Sequence, residues 1–250
     1  MLSNHTSDPI ESQLREEALY KPYQSLNAYL KKKYGEKIYK IALDGGFTCP
    51  NRDGTCGTRG CIFCSAGGSG EFATAIRQNS SIDAQIAQAL ARFGNKQTGQ
   101  RFIAYFQAYT GTYAAPERLY ALYHMALSHP KIIGISIATR PDCLPAPVLD
   151  VIKQCQMEFP DKFVWIELGL QSVHEKTALY IRRGYPLSVF TQAVYALAER
   201  NIPVVVHIIL GLPGESRETV LRTIDYLNRL PIQGVKLQLL HVLSDSDLAD

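Results

Sequence analysis

Val204-Val-Val-His-Ile-Ile-Leu210-Gly211-Leu-Pro-Gly214-Glu215 decides how the rest of the chain is read. The run is apolar except for His207, rich in β-branched residues, and stops at a glycine–proline–glycine turn that leads into a helix-like stretch, Glu215–Leu230. Near-continuous apolar character suits a strand covered on both faces, as in a parallel sheet. Working outward, the same unit recurs. Apolar runs at Ile38–Leu43, Phe102–Phe106, Ile132–Ala138, Phe163–Leu168, Val204–Ile209 and Val235–Leu240 alternate with helix-like stretches at Ile82–Phe93, Pro116–Leu127, Pro147–Cys155 and Ser188–Glu199. Ser80-Ser81-Ile-Asp83 and Pro116-Glu117 are good helix starts. Strands separated by crossover helices imply an α/β fold with a parallel sheet, a partial six-stranded (β/α)6 barrel of TIM type.

Nothing separates two domains. Residues 38–250 read as one core barrel, and residues 1–37 as a helical lead-in whose Tyr23–Tyr34 segment packs on it. Within 250 residues, 46% hydrophobic content is ample for a sizeable core. The polar start MLSNHTSDP is no signal peptide, and no apolar window is long enough for a membrane span, so the expectation is a cytoplasmic protein without a membrane partner. In such a setting clustered cysteines favour a reduced, metal-binding state over disulfides. The net charge of +3 permits an RNA partner without arguing for one.

In a parallel barrel, chemistry gathers at the carboxyl ends of the strands. The first strand ends in Asp44-Gly-Gly46, the second in Gln107-Ala-Tyr109-Thr110, the third in Thr139-Arg140-Pro-Asp142, the fourth in Gln171-Ser172 and the fifth in Gly211–Glu215. Five such ends on one rim read as an active-site mouth.

The first of these ends runs into Cys49-Pro-Asn-Arg-Asp-Gly-Thr-Cys56-Gly-Thr-Arg-Gly60-Cys61-Ile-Phe63-Cys64, which holds four of the chain's six cysteines. Thiolates so close together select a soft centre: zinc, copper(I) or an iron–sulfur cluster. A closed zinc site usually draws two well-separated Cys-x-x-Cys or Cys/His pairs. Here the Cys61/Cys64 pair has no counterpart. Three thiolates can hold three irons of a cubane and leave the fourth open to a small ligand, beside which Phe63 would lie. A zinc knuckle using all four sulfurs, or a disulfide-bonded loop, is the alternative. Spacing by itself favours Cys56, Cys61 and Cys64 as the three.

The cysteine loop, the Glu167-Leu-Gly-Leu-Gln171-Ser turn and His207-Ile-Ile-Leu-Gly211-Leu-Pro-Gly214-Glu215 resemble radical S-adenosylmethionine enzymes. The similarity is to the branch typified by the bacterial proteins YhcC and YtqA and related to the Elp3/MiaB/NifB group. Phrases such as LDGGFTCPNRDGT, AYFQAYT, SIATRPDCL and ELGLQSVHEKT spread it over most of the chain. The resemblance implies a [4Fe–4S] cluster on Cys49, Cys61 and Cys64, with Cys56 a bystander. It implies S-adenosylmethionine chelated by the open iron, its cleavage to methionine and a 5′-deoxyadenosyl radical, and a low-potential electron donor of flavodoxin or ferredoxin type.

By the same resemblance, Gln107 and Thr110 lie near the methionyl amino group, and Arg140 and Asp142 near the ribose or the methionyl end. Gln171 and Arg183 become hydrogen-bond donors to ribose and carboxylate, a role suited to a guanidinium. The Gly211–Gly214 turn and the backbone around Leu239–His241 cradle the adenine. Each has a plainer reading: Gln107, Asp142 and Gln171 as caps at strand ends, Arg182 and Arg183 as a solvated pair with Glu175, His207 as a core histidine. Cys143 is a candidate radical relay or an inert buried thiol; Cys155 reads as helix core. Ser65–Phe72 and Ile137–Leu144 resemble the YtqA type, which implies transfer RNA as substrate, with carboxymethylaminomethyl-uridine at the wobble position shortened to aminomethyl-uridine. Relatives follow the Leu-His phrase with Lys-Gly-Thr and a further region, whereas here His241-Val-Leu243 runs into Ser244-Asp-Ser-Asp247. The C-terminal region is therefore expected to be absent or truncated.

Overall fold

The computed structural model describes residues 22–68, 81–93 and 99–249. Most of the expected lead-in, and part of the 65–72 phrase, lie outside the described residues. Six strands form one parallel sheet in chain order: β1 (Tyr39–Leu43), β2 (Phe102–Phe106), β3 (Ile132–Thr139), β4 (Phe163–Gln171), β5 (Val204–Leu210) and β6 (Gly234–Leu239). The sheet curls into a half-barrel whose outer face carries α2 (Ile82–Phe93), α3 (Pro116–Ser128), α4 (Ala146–Glu158), α6 (Leu187–Glu199) and α7 (Arg217–Leu227). Ser81 caps α2, its Oγ accepting from Ala84 N at 3.2 Å. Two elements escape the sequence reading: a 3₁₀ turn at Pro141–Cys143 and the short α5 (Glu175–Tyr180). Both interrupt a βα connection with too few residues for periodicity to register.

Strand alternation sorts the side chains. Phe102, Ala104 and Phe106 of β2, Val164, Ile166 and Leu168 of β4, and Val204, Val206 and Ile208 of β5 join the core shared with the helices. Facing the other way, Ile103, Ile133 and Trp165 meet Ile38 and Leu30. Leu30 belongs to α1 (Leu26–Tyr34), which plugs the amino-terminal end of the half-barrel. Burying Leu30 contributes about 1.5–3 kcal/mol. Ser25 caps α1, accepting from Ala28 N, and Gly35 closes it in the left-handed conformation at φ +74°. Within the expected Tyr23–Tyr34 segment, Tyr34 joins Leu30 in this packing, while Tyr23 and Tyr29 remain exposed.

Cover on both faces holds for the central strands and fails at the edge. On β6 Val235 and Leu237 are exposed, while Lys236, Gln238 and Leu239 line the cavity.

Candidate active site

Between β1 and α2 the cysteine loop folds over the carboxyl ends of the strands, fastened mainly by its own backbone. Cys56 N and Gly57 N both donate to Pro50 O, and Gly60 N donates to Asn51 O at 2.7 Å. Arg52 reaches across to the Cys64 and Ser65 carbonyls at 3.2 and 2.5 Å. Asn51, buried, donates to Arg182 O at 2.6 Å and lies 3.6 Å from Cys61 Sγ. Gly60 is required here: its φ is +75°, and a Cβ would stand 2.9 Å from Arg52 Nε.

This fastening brings Cys49, Cys61 and Cys64 to one cavity of about 480 Å³. Cys56 is exposed on the other side of the loop, its Sγ 4.0 Å from Asp142 Oδ2. All six cysteines are free. A hydrogen bond with Cys64, together with burial, pushes the Cys61 thiol well up, and a soft cation set among the three sulfurs would remove that penalty. Among the described residues no three His, Cys, Asp or Glu side chains converge tightly enough for a single metal ion. A cubane, which is wider than one ion, asks for more widely spread thiolates.

Phe63, Gln107, Thr110, Arg140, Gln171, Arg183 and Leu239 line the same cavity. Gln171 ends β4 with φ +67°, and its buried Oε1 has no hydrogen-bond partner. Arg183 is buried, donating to the Tyr185, Leu170 and Ser172 carbonyls at 3.0, 3.3 and 2.7 Å. Its Nη2 has no hydrogen bond and lies 3.6 Å from Glu175 Oε2. An orphaned buried polar group carries a cost of about 1–3 kcal/mol unless something satisfies it. Gln171 Oε1 is such a group on the cavity wall, whereas Arg183 Nη2 has the Glu175 carboxylate, and S-adenosylmethionine, with its ribose hydroxyls, has the donors that Gln171 needs.

Other candidates sit elsewhere. Asp142 forms a two-point ion pair with Arg140, at 2.9 and 2.7 Å, and does not line the cavity. Arg140 and Arg183 enclose the Tyr185 ring, at 4.9 and 4.8 Å from its centroid. Gly211 and Gly214 turn the chain with φ of +86° and +80° but lie outside the cavity lining, which takes Ile209 and Leu239–His241 from that side. Cys143 is buried, its thiol 3.8 Å from Asp142 Oδ1 and away from the cavity; burial pushes it up. Tyr105 and Tyr109 line the cavity, whereas Tyr113 turns outward to Thr55 at 3.0 Å. Arg182 is no partner of Glu175: it joins Arg59 on Asp247.

His207 is more than a core histidine. At the floor of the cavity each strand contributes one polar side chain to a single layer: Lys40, Tyr105, Ser136, Glu167, His207 and Lys236. Glu167, fully buried, receives Lys40 and Ser136 on Oε1, and His207 at 2.6 Å and Lys236 at 3.3 Å on Oε2. Burial alone would raise its pKa. The His207 hydrogen bond and the charges of Lys40, His207 and Lys236 outweigh that and hold the carboxyl well below its ordinary range. Burial lowers the pKa of Lys40 and of His207 against the opposing pull of Glu167. The signal for this layer was a lysine at alternate positions inside apolar strands, in Tyr39-Lys-Ile41 and Val235-Lys-Leu237.

Thiols crowding a cavity lined with polar groups, at the carboxyl ends of a parallel half-barrel, define a protein built to hold a soft metal centre against a polar ligand. The sequence profile of the Radical SAM superfamily matches residues 53–227, and the chain belongs to that superfamily. It is 42% identical over 228 residues to the uncharacterized protein YtqA of Bacillus subtilis, a match covering 91% of this chain and 69% of YtqA. Identity to the protein YhcC of Escherichia coli is 40% over 220 residues, covering 88% and 69%. Among solved structures, archaeal Elp3 from Methanocaldococcus infernus superposes with a TM-score of 0.60 at 14% identity, over 85% of this chain and 48% of that one. Methylornithine synthase (PylB) gives 0.59 at 11% identity, over 95% and 66%. This chain thus spans about half the length of the Elp3 chain; these two likenesses bear on the fold alone. Superfamily membership supports an enzyme that cleaves S-adenosylmethionine, with a [4Fe–4S] cluster and a reductant. Among the described residues no helix is long and apolar enough to cross a membrane.

Proposed function

We propose that Cys49, Cys61 and Cys64 hold a [4Fe–4S] cluster at the head of the cavity and that S-adenosylmethionine binds beneath it. One observation carries this reading: three thiols share a cavity with the unsatisfied Gln171 Oε1 and the Arg183 guanidinium, and Cys56 lies outside it. When bound and reduced, the pair supplies a 5′-deoxyadenosyl radical and methionine. Gln171 accepts from a ribose hydroxyl. Arg183, fixed by three carbonyls, offers its remaining N–H groups to the carboxylate. Arg140 holds Tyr185 and the Arg183 carbonyl in place, and Phe63 shields the ligand from water. Residues 38–250 form the catalytic core behind an amino-terminal lead-in, 1–37, and a flavodoxin or ferredoxin type donor feeds the cluster. Six free cysteines support a reducing compartment, the cytoplasm.

The substrate in this reading is transfer RNA, with carboxymethylaminomethyl-uridine converted to aminomethyl-uridine at the wobble position. Resemblance to the YtqA type supports it, as do Tyr105 and Tyr109 in the cavity, rings on which a flipped base can stack. Anaerobic reconstitution with iron and sulfide, then dithionite and S-adenosylmethionine, yields 5′-deoxyadenosine if the chemistry is right. A protein that binds zinc and yields none overturns it. For the substrate, nucleoside mass spectrometry of a deletion strain shows accumulated carboxymethylaminomethyl-uridine; an unchanged wobble profile removes transfer RNA.

A further inference from the structure

The charged layer at the cavity floor ties two lysines to one carboxylate. Glu167 has two oxygens and four donors, two on each, so its accepting capacity is filled. It is therefore neither a free base nor a ligand for anything entering from above. Lys40 and Lys236 converge on this one carboxylate from opposite edges of the half-barrel, Lys40 on Oε1 and Lys236 on Oε2. A tie across the half-barrel would need a single lysine.

Lys236 is the one placed to meet an anion. It lines the cavity, its side chain keeps 33% of its surface accessible, and two of its three N–H groups go to Tyr105 Oη at 3.2 Å and Glu167 at 3.3 Å. The third is left for the cavity. Tyr105, Gln238 and His241 stand on the same lining. With the thiols at one end and the ammonium at the other, a molecule between them would present its neutral part to the cluster end and its negative end to the floor.

We propose that the floor centred on Lys236 is a subsite for a carboxylate of the substrate. The proposal rests on the reading of this cavity as the S-adenosylmethionine-dependent active site. A planar carboxylate matches the small number of donors that Lys236 has left. A phosphate dianion would remain under-compensated. Glu167 acts as a positioning residue: it fixes both lysines and sets the net charge of the floor, and it does not touch the ligand.

The test uses the full chain carrying its reconstituted cluster, with butyrate and butyramide as probes in equilibrium dialysis. The two have similar shape and differ in charge. Butyrate is expected to bind about tenfold more tightly, the scale of one charge-assisted hydrogen bond. Lys236→Gln should erase that preference and Lys236→Arg should keep it, and the Arg variant guards against a Gln variant that fails to fold. Glu167→Gln, which raises the net floor charge by one, should increase the preference. Equal binding of the two probes to the unaltered protein, or binding of neither, overturns the proposal. So does a preference that survives Lys236→Gln, or tighter binding of inorganic phosphate than of butyrate. If the Lys236→Gln loss falls on S-adenosylmethionine affinity instead, the floor serves the cofactor and the proposal also fails. Failure of the underlying reading looks different: no 5′-deoxyadenosine from the unaltered protein.

Discussion

The two ends of the cavity are built in opposite ways. At the mouth, the thiols come from one segment of sixteen residues, held by turns, glycines and backbone hydrogen bonds. At the floor, six polar side chains come from six strands and are held by one another around a buried carboxylate. The mouth takes its shape from turns within one segment, and the floor takes its shape from ion pairs and hydrogen bonds that cross the half-barrel. One end is set by sequence neighbours, the other by strand register.

The sharpest way to break this contrast is at the mouth. Alanine at Cys49, Cys61 or Cys64 is expected to abolish the cluster's visible absorption and all cofactor cleavage, whereas Cys56→Ala keeps both. Loss of the cluster in Cys56→Ala, with retention in Cys49→Ala, would reverse the assignment. None of the four should shift the urea midpoint of the cluster-free protein by much, because the loop is fastened by Arg52, Asn51 and backbone groups.

The floor should respond the other way. Glu167→Ala strands two lysines without their counter-ion, and removing one partner of a buried ionic group typically costs about 3–5 kcal/mol. Urea denaturation of the cluster-free protein measures this, and a loss under about 1 kcal/mol would mean the lysines escape to solvent. Between the two ends, Gln171→Ala should weaken S-adenosylmethionine binding by about 1–3 kcal/mol with iron content unchanged. Arg183 is better tested as Arg183→Lys than as Ala, since truncation would also orphan three carbonyls.

The smallest effect is a pH dependence at the floor. Burial lowers the pKa of His207 in the fold, while an unfolded histidine protonates near pH 6.5. The neutral-histidine contribution is therefore present above about pH 6.5 and is lost as pH falls from there towards the folded value. Urea midpoints measured from about pH 7.5 down to 5.5 should decline, and His207→Gln, which can still donate to Glu167, should flatten the decline. An identical slope in both proteins would show that other groups set it.

The same contrast explains what could be read from sequence. Strand positions and the cysteine loop were legible because each is a contiguous pattern: an apolar run, a turn, a cluster of one residue type. β4 reached Gln171 because Gly169 and Gln171 continue the ladder onto β5, where pairing outweighs weak strand propensity. The floor escaped the reading even though Lys40 and Lys236 interrupt apolar runs, because these two and Glu167 gain meaning only when register stacks them. His207 looked like a core residue for the same reason. Gly211 and Gly214 were assigned to the adenine from their phrase; neither lines the cavity, although Gly211 lies beside Leu240, which does. Arg182 was paired with Glu175 by proximity in sequence, but its backbone, at φ +55°, sends the side chain to Asp247.

The strand order bears also on how the chain reaches this shape. Each strand pairs with its immediate predecessor, so every ladder closes over a single connection and the sheet can lengthen strand by strand as the polypeptide leaves the ribosome. Only a few bonds disobey that rule. Lys40 to Glu167 bridges 127 positions and Lys236 to Tyr105 bridges 131. Lys236 lies in the last of these six strands, so a nascent chain lacking it would hold a sheet with an unfinished base, and the contacts of Asp245, Asp247 and Leu248 with the cysteine loop and Arg182 follow later still.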